Sequence, residues 1–299
     1  MRDRERRRLP GRASSEREQP RAPRYEPGAP YLPWIVGLGA AVVMLALALA
    51  WVDSTWLNDL DDRRATGWTG VPPSRATLDE IAQFARAQGE QCGSVEEIAT
   101  LAQGCSSVLT FTARVNDHDT AWGALFAMVF IGLLALSVLF LAFTHRVSAN
   151  LRHLGIEGQR FTPGWSIGWF LVPVANIVQP WRVYRELWLG SHAPADSAGT
   201  NGPDSWQNVP SPGLVNAWWM SVLGALVFSP WGIALAVGDG GIDAAIQTAR
   251  LQIWSDLVLA APAILTMVLV VKVSRAQTVR ARAMGVERGP VAAGPPHGR

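Results

Sequence analysis

The sequence predicts an all-α polytopic membrane protein with four transmembrane helices, one short re-entrant or tilted intramembrane segment and an interfacial amphipathic helix. Hydrophobic residues make up 49% of the 299 residues and charged residues only 17%, whereas soluble domains carry about 25% charge. The 14 tryptophans are typical of chains that meet membrane interfaces. Apolar residues also fall into long uncharged runs, as a hydrocarbon layer of about 30 Å requires. These patterns argue against a soluble enzyme, a disordered chain and a disulfide-dense secreted domain.

The chain begins with a basic segment, residues 1–33, which holds nine arginines against five acidic residues. It lacks apolar periodicity and cannot bury enough surface to offset its ordering entropy. We therefore expect a disordered tail, either freely solvated or leaning on anionic lipid.

Residues 34–52 form the first apolar run, which is uncharged and long enough to span the bilayer. A cleaved signal peptide is the alternative, because small residues suited to a cleavage site occur around Ala46 and Ala48. The leading segment is too long for a typical signal peptide, which favours a transmembrane helix.

Residues 53–120 form the longest polar segment, with 11 acidic residues and five arginines. Two capping boxes predict short helices inside it, because each pairs a hydroxyl with a carboxylate three residues later. They are Thr77 with Glu80 and Ser94 with Glu97, each followed by a glycine stop at Gly89 or Gly104. We expect an extracytoplasmic loop carrying a small helical cap.

Residues 121–271 are predicted to form the membrane bundle. The stretch 165–178 is apolar but too short for an ordinary span and contains Pro173 and Asn176, so it re-enters or tilts. Asp256 lies near the start of the last span, where we expect it to be solvated at the interface; the alternative, a proton-relay role, would need a buried partner, and the sequence shows none. The predicted spans are 122–143, 214–237 and 253–271, with an interfacial amphipathic helix at 181–190.

Charge predicts the topology. The basic tails 1–33 and 272–299 should both stay in the cytoplasm, and this requires an even number of crossings. Four spans with a re-entrant 165–178 satisfy the rule and place the acidic 53–120 segment outside, whereas five spans would put the C-terminal arginines outside. We therefore expect a multi-pass protein of the bacterial cell (inner, plasma) membrane with both termini cytoplasmic.

The stretch from Pro163 to Asn176 resembles a bacterial multi-pass membrane family catalogued as domain of unknown function 4328. The similarity covers about residues 121–280 and implies a membrane location, but it supplies no catalytic residue. Its pattern is carried by Trp165, Gly168, Trp169, Pro173 and Asn176, continues through Pro180, Arg182, Arg185 and Glu186, and extends to Arg146, Asn150, Leu154 and the pair Trp218 and Trp219.

A G-x-S-x-G pattern at residues 164–168 matches the nucleophile elbow of serine hydrolases. That chemistry needs a histidine base within hydrogen-bond reach, and no histidine lies within a predicted span. Close packing of small residues explains the pattern better. We expect no catalytic residue, no cofactor and no metal site, and the basic tail lacks the aromatics suited to nucleic acid.

Several polar residues have both a structural and a functional interpretation. Asn176 either caps the exposed backbone of a broken helix or contacts a ligand there, as discontinuous helices do in transporters. Arg182, Arg185 and Glu186 either anchor the interfacial helix or bind anionic headgroups or a partner.

The two cysteines, Cys92 and Cys105, fall on the predicted outer side, where disulfides persist. A helix between them is about 13 Å long, whereas bridged Cα atoms approach to about 6 Å. A bridge therefore requires the flanking residues to fold back.

These features predict a non-enzymatic envelope protein that binds or regulates a partner in the lipid bilayer, most plainly another membrane or envelope protein. A small transporter or channel subunit with a site around Asn176 is the alternative. A membrane enzyme that uses Ser166 ranks third.

Overall fold

The computed structural model describes residues 25–90, 95–96, 105–194, 205–208, 210, 213–229, 233 and 240–286. Helix accounts for 81% of these residues, and they contain no strand, so the prediction of an all-α protein is confirmed. The α-helices are α1 (Leu32–Ala65), α2 (Leu78–Ala87), α3 (Ser106–His153), α4 (Pro163–Gly168), α5 (Gln179–His192), α6 (Gly213–Val227) and α7 (Gly241–Ala283). Short 3-10 turns lie at Ala29–Tyr31, Ala175–Ile177 and Ser205–Asn208.

Three segments are long and apolar enough to cross a membrane. They are Ala29–Ala65, Ser106–His153 and Gly241–Ala283, and they contain the predicted spans 34–52, 122–143 and 253–271. The remaining predicted span begins in α6, which is apolar but has only 15 residues. Most of its predicted second half, to residue 237, lies outside the described residues.

Helix α1 packs antiparallel to both α3 and α7. The C-terminal end of α1 lies beside the start of α7, and Ile242 N donates to Thr69 O at 2.9 Å just beyond it. We label this end of the bundle the outer end. Further along, a Cβ added at Gly39 would come within 2.8 Å of Met267, and one at Gly132 within 3.1 Å of Val42. Glycine at these two points lets the helices approach closely. The start of α1 and the C-terminal ends of α3 and α7 consequently meet at the opposite end of the bundle, which we label the inner end.

The structure differs from the sequence prediction at both ends of residues 53–120. Helix α1 continues to Ala65 and α3 begins at Ser106, so two helices run well past the apolar band instead of ending at it. The predicted loop 238–252 is likewise mostly helical, because α7 begins at Gly241. Hydropathy marks where the lipid ends, whereas a helix ends at a breaker such as Gly67, which has φ +89°.

A small core joins these extensions at the outer end of the bundle, and we call it the cap core. Helix α2 packs into it and begins at the predicted capping box: Thr77 Oγ1 accepts from Glu80 N at 3.3 Å, and Thr77 N donates to Glu80 Oε2 at 2.7 Å. The backbone hydrogen bond from Thr77 lowers the pKa of Glu80. The buried members of the cap core are Leu60, Trp68, Ile81, Ala82, Ala85, Cys105, Val108, Phe111, Ile242, Ile246 and Ala249.

Cys105 is disulfide-bonded and fully buried in the cap core. Cys92, the predicted partner, lies outside the described residues, as does most of the second capping box. Val95 and Glu96 within that box are helical.

A Thr77→Ala substitution tests the cap of α2. It removes the side-chain acceptor for Glu80 N, so we expect α2 to lose about 1 kcal/mol of local stability, measured by hydrogen exchange of its amides in the full-length protein. Thr110→Ala is the control, because the exposed Thr110 hydroxyl only donates to Ser106 O inside α3. Equal protection of α2 in the two variants would contradict the assignment.

Candidate functional site

The stretch that follows α3 forms a hairpin that leaves and returns to the inner end of the bundle. On its way out, Phe161 N donates to Glu186 Oε1 of α5 at 3.2 Å. At its far end, the Phe170 ring lies 6.0 Å from that of Phe140 and 6.4 Å from that of Tyr184. Helix α5 then runs back alongside α3, with Gly190 packed against Leu151. Because Phe140 lies near the inner end of the apolar run 122–143, the hairpin reaches the inner edge of the apolar band.

The residues of the first half of the hairpin have local structural roles. Thr162 caps α4 by accepting from Trp165 N at 3.3 Å. The rings of Trp165 and Trp169 lie 5.0 Å apart, and a Cβ at Gly168 would approach the Trp165 ring to 3.1 Å. Ser166 is fully buried and its hydroxyl donates to Pro163 O at 2.6 Å, so the hydroxyl is engaged within α4.

The tip of the hairpin turns at Val174, which has φ +66°, a conformation that side chains rarely adopt. Asn176 is exposed there and its backbone N–H donates to Val172 O at 2.9 Å. Asn176 does not line either of the two cavities described below. The exposed apolar residues of the tip are Leu171, Val172, Val174, Ile177 and Val178.

Two tryptophans of α6 hold the hairpin in place. Trp219 Nε1 donates to Ile177 O at 2.9 Å, and this satisfies a carbonyl at the break. Trp218 Nε1 donates to Thr266 Oγ1 of α7 at 2.9 Å, and its ring contacts that of Tyr184 at 4.8 Å. The Tyr184 hydroxyl in turn lies 2.6 Å from Thr144 Oγ1. The irregular backbone is therefore paired at membrane depth by side chains, as a lipid environment requires.

Residues 107–275 match the family model of DUF4328, a domain of unknown function. The chain belongs to the DUF4328 family. Comparison with curated proteins and with solved structures gives no match. The matched region of this DUF4328 protein contains the whole hairpin, α5 and the paired tryptophans of α6, so the resemblance predicted from the Pro163–Asn176 pattern is confirmed.

The foot of the hairpin forms a cavity of about 500 Å³ lined by three arginines, which we call the arginine pocket. Arg182 and Arg185 are exposed on α5, and Arg160 comes from the hairpin entry. The three guanidiniums form no ion pair with a carboxylate among the described residues. The other lining residues are Gly158, Phe161, Trp181, Glu186, Leu189, Trp206 and Gln207.

Glu186 is the carboxylate of the pocket, and its oxygens are occupied by the backbone. Oε2 accepts from Arg160 N at 3.1 Å, and Oε1 accepts from Phe161 N at 3.2 Å. Burial raises the pKa of Glu186, while these backbone hydrogen bonds lower it. Glu186 thus fixes the hairpin entry onto α5, and the pocket keeps a net positive charge.

Aromatic side chains complete the pocket. The Arg185 guanidinium lies 5.9 Å from the centroid of the Trp181 ring. Trp181 Nε1 donates to Asn216 Oδ1 of α6 at 2.8 Å, and Trp206 Nε1 donates to Glu157 O at 3.0 Å. Both rings are therefore held at fixed positions beside the charges.

A second cavity, of about 580 Å³, opens between the inner end of α3 and the start of the described chain. Arg146 forms an ion pair with Glu26 on its wall, so the cation there already has a partner.

A buried polar network ties the inner helix ends together beneath these cavities. Asn150 Nδ2 donates to Glu26 O at 2.7 Å and to Gln277 Oε1 at 3.2 Å. Gln277 Nε2 donates to Val147 O at 2.9 Å. Arg280 is buried: its Nε donates to Leu154 O at 2.9 Å, and its Nη1 donates to Ala193 O and to Pro194 O, the latter at 2.8 Å. Sequence analysis marked Asn150 only as part of the family resemblance, and it missed Gln277 and Arg280.

Sequence analysis also missed a buried acidic pair at the outer end of the bundle. Asp256 was expected to be solvated, but it is 8% exposed, and its carboxyl lies within hydrogen-bonding reach of that of Asp53. Asp53 is fully buried, and His118 Nε2 lies 3.2 Å from its Oδ1. The available signal was that Asp53 directly follows one apolar run and Asp256 lies at the outer end of another.

An Arg280→Met substitution tests the inner network. It leaves buried carbonyls without their donor, so we expect a loss of about 1–3 kcal/mol in the free energy of unfolding, measured by thermal unfolding in detergent. Arg275→Met is the matched control on an exposed position of the same helix, with an expected effect within about 0.5 kcal/mol. Similar losses in both variants would show that Arg280 does not hold the helix ends.

Proposed function

We propose that this DUF4328 protein is a non-enzymatic, multi-pass protein of the bacterial cell membrane that binds a membrane protein partner through the arginine pocket. The observation that carries the proposal is the convergence of Arg160, Arg182 and Arg185, without ion-pair partners in the described part of the chain, beside Trp181 and Trp206. Arginine and tryptophan are the residues that most often dominate binding energy at protein interfaces.

The chemistry of the pocket favours an acidic segment as the partner's contribution. Three guanidiniums offer planar, forked donors that suit carboxylates. Glu186 interacts electrostatically with Arg160, but its oxygens accept from backbone N–H groups, and its single charge offsets only one of the three cations. The fixed indole rings add apolar area at little entropic cost. The absence of catalysis is part of the proposal, and the engagement of the Ser166 hydroxyl by Pro163 O supports it.

We further propose four crossings with both termini in the cytoplasm. The antiparallel packing of α1 against α3 and α7 places residues 25 and 286 at the same end of the bundle, and the hairpin enters and leaves from that end. The basic residues of 1–33 and 272–299 favour the cytoplasm for this end. Under this topology the cap core is extracytoplasmic and the arginine pocket faces the cytoplasm.

Thiol labelling tests the topology. Single cysteines replace Ser14, Glu157 and Ala292, with Asp79→Cys on α2 as the outside control, in spheroplasts exposed to an impermeant maleimide. We expect labelling of Asp79→Cys alone, and labelling of the other three only after permeabilisation. Labelling of Glu157→Cys from outside would overturn the four-crossing arrangement.

Site-specific photocross-linking tests the partner. A benzophenone amino acid replaces Arg182 in one variant and Arg275, an exposed arginine on α7, in the control. We expect a discrete protein adduct from position 182 in native membranes, with an acidic cross-linked peptide, and none from position 275.

The charge dependence of the adduct is the second part of that test. Arg160→Gln with Arg185→Gln should abolish it, whereas Arg152→Gln with Arg275→Gln removes the same charge elsewhere and should leave it unchanged. Adducts to lipid alone, or adducts indifferent to both pairs of substitutions, would refute a protein partner at this pocket.

A further inference from the structure

Three helices bring protonatable side chains together at the outer edge of the apolar band. Asp53 of α1 directly follows the apolar run 34–52, Asp256 lies at the outer end of the apolar run of α7, and His118 is one turn before the apolar run of α3. Trp51 and Trp254 are 68% and 63% exposed at the same level, as tryptophans at a membrane interface are. The cluster therefore lies inside the bundle where lipid gives way to water.

The geometry of the cluster leaves carboxyl oxygens without donors. His118 Nε2 lies 3.2 Å from Asp53 Oδ1, while Asp53 Oδ2 and Asp256 Oδ2 are buried and lack a hydrogen-bond partner within the described structure. A proton held between the two carboxyls would satisfy both oxygens. Burying these oxygens as unpaired charges would be strongly unfavourable.

Apart from His118, no basic side chain forms an ion pair with either carboxyl in the described part of the chain. The nearest charged side chains further out on the same helices are already engaged: Asp59 with Arg114, Asp61 with Arg250 at 3.8 Å, and Arg64 with Asp243 at 2.9 Å. Two carboxylates in buried contact repel each other, and a proton placed between them removes that repulsion. No group of three His, Cys, Asp or Glu among the described residues is arranged to hold a metal ion.

His118 connects the buried pair to water. Its side chain is 14% exposed, and its Nδ1 lies 3.3 Å from Asp119 Oδ1, a carboxylate that is 48% exposed. The Trp56 ring stacks on one face of the His118 imidazole, with the two ring centroids 4.9 Å apart. The series Asp119, His118, Asp53 thus runs from solvent to a fully buried carboxyl through contacts of 3.3 Å and 3.2 Å, and Asp256 lies beside Asp53.

We propose that Asp53, Asp256 and His118 form a proton-binding site that exchanges with the aqueous phase at the capped end of the bundle and sets how closely α1 packs on α7. In the exchange, the shared proton first leaves for bulk water. A hydronium ion then protonates Nδ1 of His118 and becomes water, and the Nε2 proton passes to the ionised Asp53 Oδ1, which leaves the imidazole neutral with its proton on Nδ1. Loss of the shared proton places two negative charges in contact between α1 and α7 and weakens their packing. The site does not depend on the proposed partner, and the proposed topology decides only which compartment supplies the proton.

Infrared spectroscopy of the full-length protein in nanodiscs, titrated with pH, tests the site. We expect the carboxylic acid C=O band of a protonated aspartic acid to persist at neutral pH, where a solvated aspartate is ionised. The band should shift on ¹³C labelling of aspartate and disappear in Asp256→Asn and in Asp53→Asn. Asp243→Asn is the matched control, because it removes an exposed carboxylate from the same helix and should leave the band intact.

The route through His118 has its own readout. His118→Gln should keep the band but slow its hydrogen–deuterium exchange by about tenfold or more. Exchange at the wild-type rate would remove His118 from the site and overturn the proposed route. Absence of the band from the wild-type protein at neutral pH, or its survival in both asparagine variants, would overturn the proton site. If neither asparagine variant folds, the wild-type band and its ¹³C-aspartate shift decide the question.

Discussion

Close approach of α1 to α3 and α7 is the constraint on which the rest of this structure depends. Helices in lipid gain little from apolar burial against one another and associate through van der Waals contact, which small residues permit. Gly39 faces Met267 and Gly132 faces Val42 at distances that a larger residue would not allow. These contacts fix the relative level of the three helices. The cap core, the acidic pair and the inner polar network are all formed by residues that this alignment brings together.

The hairpin depends on the same frame in a different way. Its backbone leaves helical geometry near the edge of the apolar band, where an unpaired carbonyl or amide is costly. Trp219 donates to Ile177 O, and Glu186 accepts from Phe161 N in the first segment of the hairpin. Arg280 of α7 donates to Leu154 O at the end of α3 and to Ala193 O at the end of α5. Side chains from three helices thus replace the hydrogen bonds that a continuous helix would have made, and the arginine pocket forms where they do so.

Local signals in the sequence predicted local structure well. Thr77 and Glu80 located the start of α2, and the apolar runs located the cores of α1, α3 and α7. The short run with Pro173 predicted the hairpin because its length could not span a bilayer. Helix ends were predicted poorly, because hydropathy does not show where a helix stops: residues 53–66 contain neither glycine nor proline, and α1 continues until Gly67 allows a stop.

Contacts between distant residues could not be predicted in the same way. Nothing near Asp256 in the sequence indicates that Asp53 lies against it, because only the packing of α1 on α7 brings them together. The same holds for Asn150 with Gln277.

The continuity of the helices has a mechanical consequence: α1, α3 and α7 each run as one helix from the cap core to the inner network. A movement of the cap core would therefore be transmitted to the inner network without passing through a flexible linker. Helix α7 can bend at Pro262, which lies between the Asp53–Asp256 pair and the Asn150–Gln277 network.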